Sequence, residues 1–325
     1  NGTIKNFEFV KYDKGMNGEI SIGLLNFIKI SKSNFPVERY KVSFEREALQ
    51  LDLVVDNDQK IDDISLDPYI DNAVSEKAIN SLKLDNELID EKQQKVIFNK
   101  SKYLPNNTQI SIGLIKNGQV NYYGIKRQND SIFTVNNSKN IFEIGSISKI
   151  LTANILSKFV LENKISLNDN INNYFDLTLK DSVQIKFKSL ANHTSGIPRM
   201  PNNFSNSSKK NPLNPYKEYK VDDLETYLLD SLKINQDNKG KFLYSNLGFA
   251  LIGYTLSKID NQDYKSMFDS YIFSKYDMTN TTFLKEGVND LLVKGLNSQG
   301  DEVPNWDLQI FGPAGGVLSN AEDMT

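Results

Sequence analysis

Several short segments near the start of the chain alternate apolar and polar residues. They cover 20–24, 40–44 and 49–55, and a fourth begins at Ile61 and ends near Pro68. Alternation with a period of two is typical of half-buried strands in antiparallel sheets. The pattern therefore predicts a small α+β domain of unknown role over residues 1–80.

The hydrophobic spacing changes after these segments. The stretch 71–108 is charged and rich in asparagine, and Leu84, Leu88 and Val96 lie at intervals that indicate helix. This change of composition places a domain boundary here. We expect a second, larger domain over residues 81–325.

A β-hairpin opens this second domain. Residues 109–115 and 119–123 alternate in hydrophobicity, and Asn117-Gly118 joins them. Asn-Gly between two alternating segments is the strongest short hairpin signal, because both residues tolerate a positive φ. Beyond the hairpin the apolar spacing is mostly helical. We therefore expect an antiparallel sheet packed against helices, with a mainly helical lobe from about 150 to 280, which is an α/β fold.

Composition and charge narrow the possible chemistry. The sequence has 38 basic and 41 acidic residues, so a concentrated basic face for a nucleic-acid partner is not expected. It has no cysteine, which excludes thiol catalysis and disulfides, and its one histidine, His193, cannot build the usual His/Cys zinc site. No apolar run reaches the ~20 residues of a membrane span. We expect no metal, no cofactor and no transmembrane segment in this chain, and the oligomeric state is left open.

The spacing Ser-x-x-Lys occurs twice, from Ser146 to Lys149 and from Ser207 to Lys210. The second pair lies in a polar region and is interpreted as a solvated loop. The first is followed by apolar residues around most of a helix circumference: Ile147, Ile150, Leu151, Ala153, Ile155, Leu156, Phe159 and Val160. We therefore expect a buried helix that begins at Gly145 and Ser146.

One helical turn brings Lys149 close to Ser146, because residues i and i+3 lie on the same helix face. Burial and the positive potential of the helix N-terminus both disfavour an ammonium group, so the lysine pKa is expected to fall toward neutrality. A neutral lysine can accept the proton of a serine, which then acts as a nucleophile. The alternative is an N-cap serine beside a surface lysine, and this motif alone does not decide between the two.

Tyr244-Ser245-Asn246 precedes a strongly apolar helix start. A phenol beside the Ser–Lys pair can relay a proton to a leaving group. An asparagine amide can hydrogen-bond the amide group of a substrate. The alternative is a core tyrosine followed by an N-cap asparagine, and taken alone this segment favours that alternative.

Four blocks follow one another along the chain, at 146–149, 190–198, 244–246 and 313–323. They contain Ser-Ile-Ser-Lys, then Leu-Ala-Asn-His-Thr-Ser-Gly-Ile-Pro, then Tyr-Ser-Asn, then Pro-Ala-Gly-Gly with a later Ala-Glu-Asp. In this order they resemble the class C β-lactamase and D-alanyl-D-alanine carboxypeptidase family, in its branch of β-lactamase-related serine hydrolases and esterases. The resemblance covers about residues 85–325. It implies a β-lactamase/transpeptidase-like α/β fold, with an antiparallel sheet flanked by helices and a helical lobe.

The resemblance also implies roles for individual residues. Ser146 matches the acylated serine of the family, and Lys149 matches its base. Tyr244 matches a tyrosine that shares in proton transfer, and Asn246 matches a side chain that contacts substrate. His193 matches a position that is usually structural, and a Ser–His triad through His193 is the competing interpretation.

The implied function is a serine hydrolase that forms an acyl-enzyme with a peptide, a β-lactam or a small ester, exported to the periplasm or cell envelope. One alternative is a catalytically silent penicillin-binding-type protein that binds peptide or ligand, and another is a structural module that relies on the N-terminal region. The third motif of the family, Lys- or His-x-Gly, is expected beyond Thr325. We expect the intact protein to be an enzyme, and these 325 residues alone to be inactive and marginally stable.

Overall fold

The computed structural model describes residues 77–84 and 89–325 in full, and before them the backbone of four strands. These strands are β1 (Ile4–Asp13), β2 (Val37–Phe44), β3 (Ala48–Val55) and β4 (Ile61–Pro68), paired antiparallel in the order β1-β2-β3-β4. Strands β2, β3 and β4 agree with alternating segments of the sequence, whereas β1 is not among the predicted segments. The predicted segment 20–24 lies outside the described residues.

A second four-stranded sheet has the order β5-β8-β7-β6. Its strands are β5 (Ile79–Ser81), β6 (Gln109–Lys116), β7 (Gln119–Gln128) and β8 (Ser131–Val135). Strands β6, β7 and β8 are antiparallel neighbours, and β5 adds a parallel strand beside β8. Asn117 and Gly118 have φ angles of 52° and 78°, so the predicted hairpin is confirmed. The predicted boundary at residue 80 falls inside β5, and the division into two domains stays a prediction.

Helix α1 (Glu91–Ser101) begins at a capping box formed by Asp90 and Gln93. Its apolar side chains join the core of the second sheet, where Ile97 and Phe98 pack with Tyr123, Ile125 and Ile132. The helix begins later than the sequence suggests, because Leu84 lies in irregular backbone. Leu88, the next residue of the predicted pattern, lies outside the described residues.

The helical lobe follows the second sheet. Its helices are α2 (Ser148–Leu161), α3 (Phe187–Ala191), α4 (Phe204–Lys210), α5 (Val221–Asp230), α6 (Asn246–Asp260), α7 (Tyr264–Phe268) and, near the end, α8 (Gly312–Gly315). Single turns of 3-10 helix lie at Gly145–Ile147, Ile171–Tyr174, Lys180–Ser182, Gln236–Asn238, Ser274–Tyr276 and Gln309–Phe311, and Asp269–Phe273 is π-helical. The fold class is therefore α/β, as the sequence predicts.

Four short strands complete the fold: β9 (Phe142–Glu143), β10 (Gly295–Leu296), β11 (Glu302–Val303) and β12 (Leu318–Ser319). Strand β12 pairs antiparallel with β9, and β10 pairs with β11. The turn that carries Ser146 follows β9, and α8 precedes β12. This pairing therefore brings α8 against the start of α2, although about 165 residues separate them in sequence.

Helix α2 buries one face and exposes the other. Thr152, Ile155 and Phe159 are fully buried, at the spacing expected for one side of a helix. Ile150, in contrast, is 68% exposed, and Ile147 in the preceding turn is 45% exposed. The predicted burial of this helical segment is therefore wrong at these two positions, which lie away from the lobe core. Within the described part of the chain, no helix has the length and hydropathy needed to cross a bilayer.

Candidate active site

Ser146 lies in the 3-10 turn Gly145–Ile147, which leads directly into α2. Gly145 has a φ of 53°, in the left-handed region that favours glycine. Ser148 fixes the turn, because its Oγ donates to Gly145 O at 2.7 Å and accepts the Val317 N–H at 3.1 Å. Ser146 itself is exposed, so a substrate can reach its hydroxyl.

The Lys149 side chain is buried, with 6% of the residue exposed, and its amine meets three oxygen atoms. Nζ lies 3.1 Å from Ser146 Oγ. It donates to Asn246 Oδ1 at 2.9 Å and to Ala314 O at 2.5 Å. The alternative interpretation, an N-cap serine beside a surface lysine, is wrong for this site. Ile147 holds the N-cap position of α2, and Lys149 is buried.

The environment of Lys149 favours its neutral form. Burial, and after it the positive Arg199 guanidinium, lower the pKa of Lys149 to about 7. The three oxygen partners are a hydroxyl, an amide and a backbone carbonyl, so none of them offers a negative charge that would restore the ammonium. The amine therefore exchanges its proton in the neutral range.

Tyr244 reaches the same hydroxyl from a different part of the lobe. Its OH donates to Ser146 Oγ at 2.8 Å, and the Lys149 amine lies 4.9 Å from the centroid of its ring. Burial raises the pKa of Tyr244, so the group is a phenol at neutral pH and has a proton to donate. Ser146 Oγ thus lies between an amine and a phenol.

Ser245 caps helix α6. Its Oγ accepts the Gly248 N–H at 3.0 Å and donates to Pro198 O at 2.7 Å. Asn246 is the first residue of the helix, and its amide oxygen faces Lys149. The alternative with an N-cap asparagine is therefore wrong. The structure brings Ser146, Lys149, Tyr244 and Asn246, all predicted from the sequence, into one cluster.

His193 borders this cluster without contacting Ser146 Oγ in the described hydrogen bonds, in which that atom meets Lys149 and Tyr244. Its Nδ1 instead accepts the backbone N–H of Ser245 at 3.1 Å. Burial, and after it the charge on Lys149, lower the pKa of His193 to about 4. This geometry does not form a Ser–His pair.

Two participants were not singled out by the sequence reasoning. The first is Arg199, whose guanidinium carbon lies 5.3 Å from the centroid of the Tyr244 ring. It directly follows the 190–198 block, and that position is the signal that could have identified it. The second is the backbone carbonyl of Ala314: its segment, 313–316, is part of the fourth block and resembles a turn near the site of the family, but no side-chain pattern marks this carbonyl as an acceptor for Lys149.

The second Ser-x-x-Lys of the sequence, Ser207 to Lys210, lies apart from the cluster. Ser207 belongs to helix α4 rather than to a solvated loop, so that interpretation is wrong. Its hydroxyl is buried and donates to Pro215 O at 2.8 Å, while Lys210 is exposed, so this second Ser-x-x-Lys forms no comparable pair.

Among residues 77–84 and 89–325, no three His, Asp or Glu side chains gather where they could share a metal ion.

Helices α6 and α8 approach closely where Gly253 of α6 meets Pro313 of α8. Pro313 directly precedes Ala314, whose carbonyl accepts from Lys149, so this contact helps to position that carbonyl. A Cβ on Gly253 would lie 2.2 Å from Pro313 Cγ, on a ring that cannot rotate away. Gly253→Ala is therefore expected to lower the free energy of unfolding by about 1–3 kcal/mol through overpacking. Urea unfolding of the full-length protein measures this loss.

The matched control for this substitution lies on the same helix. At Gly248 the nearest atom to an added Cβ, Leu190 O, is 3.5 Å away, which is an ordinary contact. Gly248→Ala is expected to leave stability unchanged or to raise it by up to about 1 kcal/mol through helix propensity. Equal effects of the two substitutions would contradict the close packing at Pro313.

The comparisons of this chain with known proteins agree on one protein family. Residues 108–325 match the family model described as Beta-lactamase. A Beta-lactamase-like protein 2 of Dictyostelium discoideum is 29% identical over 208 residues, which are 57% of this chain and 34% of that protein. A Beta-lactamase of Providencia stuartii is 25% identical over 222 residues, 66% of this chain and 53% of that protein. The chain thus spans between about a third and a half of the length of these two relatives.

Solved structures share the fold. A class C beta lactamase from Rhodobacter sphaeroides has a TM-score of 0.55 at 19% identity, over 71% of this chain and 61% of that chain. A beta-lactamase/D-alanine carboxypeptidase from Yersinia pestis has a TM-score of 0.55 at 22% identity, over 71% and 63%. The family match covers well over half of the sequence, and it includes the four blocks and the cluster that they form. The chain therefore belongs to the beta-lactamase family.

Proposed function

We propose that this protein is a serine hydrolase in which Ser146 is the nucleophile and Lys149 is the base that activates it. The observation that carries the proposal is the buried Lys149 amine, 3.1 Å from Ser146 Oγ, with a pKa of about 7. A serine hydroxyl does not release its proton to water near neutral pH, so it needs such a base nearby.

The contacts of Lys149 also orient its lone pair. A neutral amine has two N–H groups and one lone pair. Asn246 Oδ1 and Ala314 O are acceptors and take the two N–H groups, so the lone pair is left for the Ser146 hydroxyl. The amine then accepts the serine proton while Oγ bonds to the substrate carbonyl carbon.

The remaining steps follow from the same cluster. The leaving group departs with a proton, which Tyr244 and Lys149 can supply because both contact Ser146 Oγ. Water then attacks the acyl-enzyme and restores the free hydroxyl. The Ser146 N–H, in the first turn of a helical segment, is one candidate donor to the oxyanion that forms on the carbonyl oxygen.

The proposed substrates contain an amide or ester carbonyl, in a peptide, a β-lactam or a small ester, and Asn246 is the proposed substrate contact. Relatives are described as a Beta-lactamase and as a D-alanyl-D-alanine-carboxypeptidase/endopeptidase of Escherichia coli. Both descriptions refer to cleavage of an amide bond. We also propose that the protein acts after export, in the periplasm or at the cell envelope, as the resemblance to exported enzymes implies.

Covalent labelling of the full-length protein across a range of pH tests this function. A fluorophosphonate or a fluorescent penicillin is expected to modify Ser146, as peptide mapping by mass spectrometry will show. The labelling rate should rise with pH, with a midpoint near the Lys149 pKa of about 7, and then level off. The sign follows because below the midpoint the amine is an ammonium group and cannot accept a proton.

The second Ser-x-x-Lys supplies an internal control, because Ser207 should remain unmodified at every pH. Label on Ser207, or an acylation rate independent of pH between 5 and 9, about two units on either side of the midpoint, would contradict the proposed base. Tight binding of penicillin without any covalent product would instead indicate a catalytically silent binding protein.

A further inference from the structure

His193 is the one histidine of the sequence, and the proposed acyl transfer does not use it. Its ring is surrounded by aromatic rings, with centroids 4.5 Å away in Tyr244, 5.2 Å in Phe249 and 5.6 Å in Phe242. The Tyr244 ring is inclined by only 31° to the imidazole, whereas Phe242 meets it edge-on at 81°. The imidazole therefore packs along the phenol that reaches Ser146.

His193 also holds the backbone on both sides of Tyr244. Leu243, the residue before the tyrosine, donates its N–H to His193 O at 2.7 Å. Ser245, the residue after it, donates its N–H to His193 Nδ1 at 3.1 Å. A single residue thus fixes the chain immediately before and after the phenol and contacts its ring.

The hydrogen bond at Nδ1 determines the state of the imidazole. An atom that accepts an amide N–H must carry a lone pair, so the ring proton lies on Nε2 and the ring is neutral. Burial and the charge on Lys149 lower the pKa of His193 to about 4, so this state persists throughout the neutral range. A protonated ring would instead direct its Nδ1–H at the N–H of Ser245 and break the contact.

We propose that His193 is a positioning residue for Tyr244: as a neutral acceptor it fixes the backbone beside the phenol and so holds the Tyr244 hydroxyl on Ser146. The inference rests on the proposed function, because it concerns proton transfer at that hydroxyl. His193 itself exchanges no proton with the substrate.

Two substitutions in the full-length protein separate the acceptor from the ring. His193→Phe keeps an aromatic ring against Tyr244 but leaves the Ser245 N–H without its acceptor. It is expected to lower the maximal acylation rate by about 10²-fold, because a small displacement of a reacting group has an effect of this size. The probe concentration that gives half the maximal rate should stay the same. His193→Asn is expected to restore most of the rate, because Asn Oδ1 can replace Nδ1 and asparagine tolerates the φ of 58° found here.

A double-mutant cycle tests the link to Tyr244. If His193 acts through the phenol, Tyr244→Phe slows acylation strongly in the parent protein and much less in the His193→Phe background. Multiplied losses in the double variant, or an equal loss in His193→Asn and His193→Phe, would overturn the inference.

A measurement on the unmutated protein keeps the inference testable if the phenylalanine variant does not fold. With ¹⁵N-labelled histidine and a purification tag without histidine, the imidazole signal that His193→Asn removes should show Nε2 protonated and Nδ1 bare at pH 7. The opposite tautomer would overturn the inference. A parent protein that no acylating probe modifies would contradict the proposed function. The imidazole spectrum measures the protonation state of His193 independently of that outcome.

Discussion

Replacement of Ser146 by alanine is expected to abolish covalent labelling and to lower turnover of an ester or amide substrate by about 10⁶-fold, as loss of a serine nucleophile does. The nearby Ser148 hydroxyl cannot take its place, because it is buried and bonded to both Gly145 O and Val317 N. Ser146 is exposed, so the substitution should leave thermal unfolding unchanged. Steady-state turnover of a chromogenic ester and a melting curve measure the two effects.

The chain provides a matched control in its second Ser-x-x-Lys. Ser207→Ala removes a buried hydroxyl that donates to Pro215 O, so it is expected to cost about 1 kcal/mol of stability and to leave labelling intact. Label that persists in Ser146→Ala, at any serine, would show that the nucleophile lies elsewhere.

Replacement of Lys149 by methionine has the second largest expected effect, a fall of about 10²–10⁴-fold in the acylation rate. Methionine has a similar length and suits a buried position, but it cannot accept the proton of Ser146. It also leaves Asn246 Oδ1 and Ala314 O without their donor. Stopped-flow labelling at pH 8 measures the rate under conditions in which the parent amine is largely neutral.

Arginine at the same position separates charge from basicity. Lys149→Arg keeps donors for the two acceptors but remains protonated at every usable pH, so it is expected to be as slow as the methionine variant. Lys210→Met, on the exposed end of α4, should have no effect. An arginine variant that retains most of the rate would show that this position acts through its charge and not as a base.

The features that the sequence predicted well depend on neighbours along the chain. The Asn117-Gly118 turn follows from the φ preferences of two adjacent residues, and the contact between Ser146 and Lys149 follows from one helical turn. The approach of Tyr244 required more than local reasoning. It was predicted because four blocks occur in an order known from a family, which supplied the missing tertiary contact.

The features that sequence reasoning missed depend on distant backbone. The Ala314 carbonyl reaches Lys149 across 165 residues, and any residue type offers the same carbonyl. The exposure of Ile150 could not be read from helical spacing, because an apolar residue is buried only where another element covers it. Ser207 lies in a polar stretch that nevertheless forms a helix, and its buried hydroxyl donates to the backbone carbonyl of Pro215 beyond the end of that helix.

A buried amine of this kind also links the unfolding of the protein to proton uptake. Burial lowers the pKa of Lys149 from 10.5 to about 7, so between these values unfolding transfers a proton from solution onto the lysine. The unfolded chain binds more protons in that window, and the contribution of this group to the free energy of unfolding therefore rises with pH. Burial raises the pKa of Tyr219 and Tyr264 above 10.0, so above that pH the unfolded chain releases protons and stability falls. Between pH 7 and 10.5, where the native lysine already has its lone pair free, a rise in pH therefore also increases the contribution of this lysine to the stability of the native state.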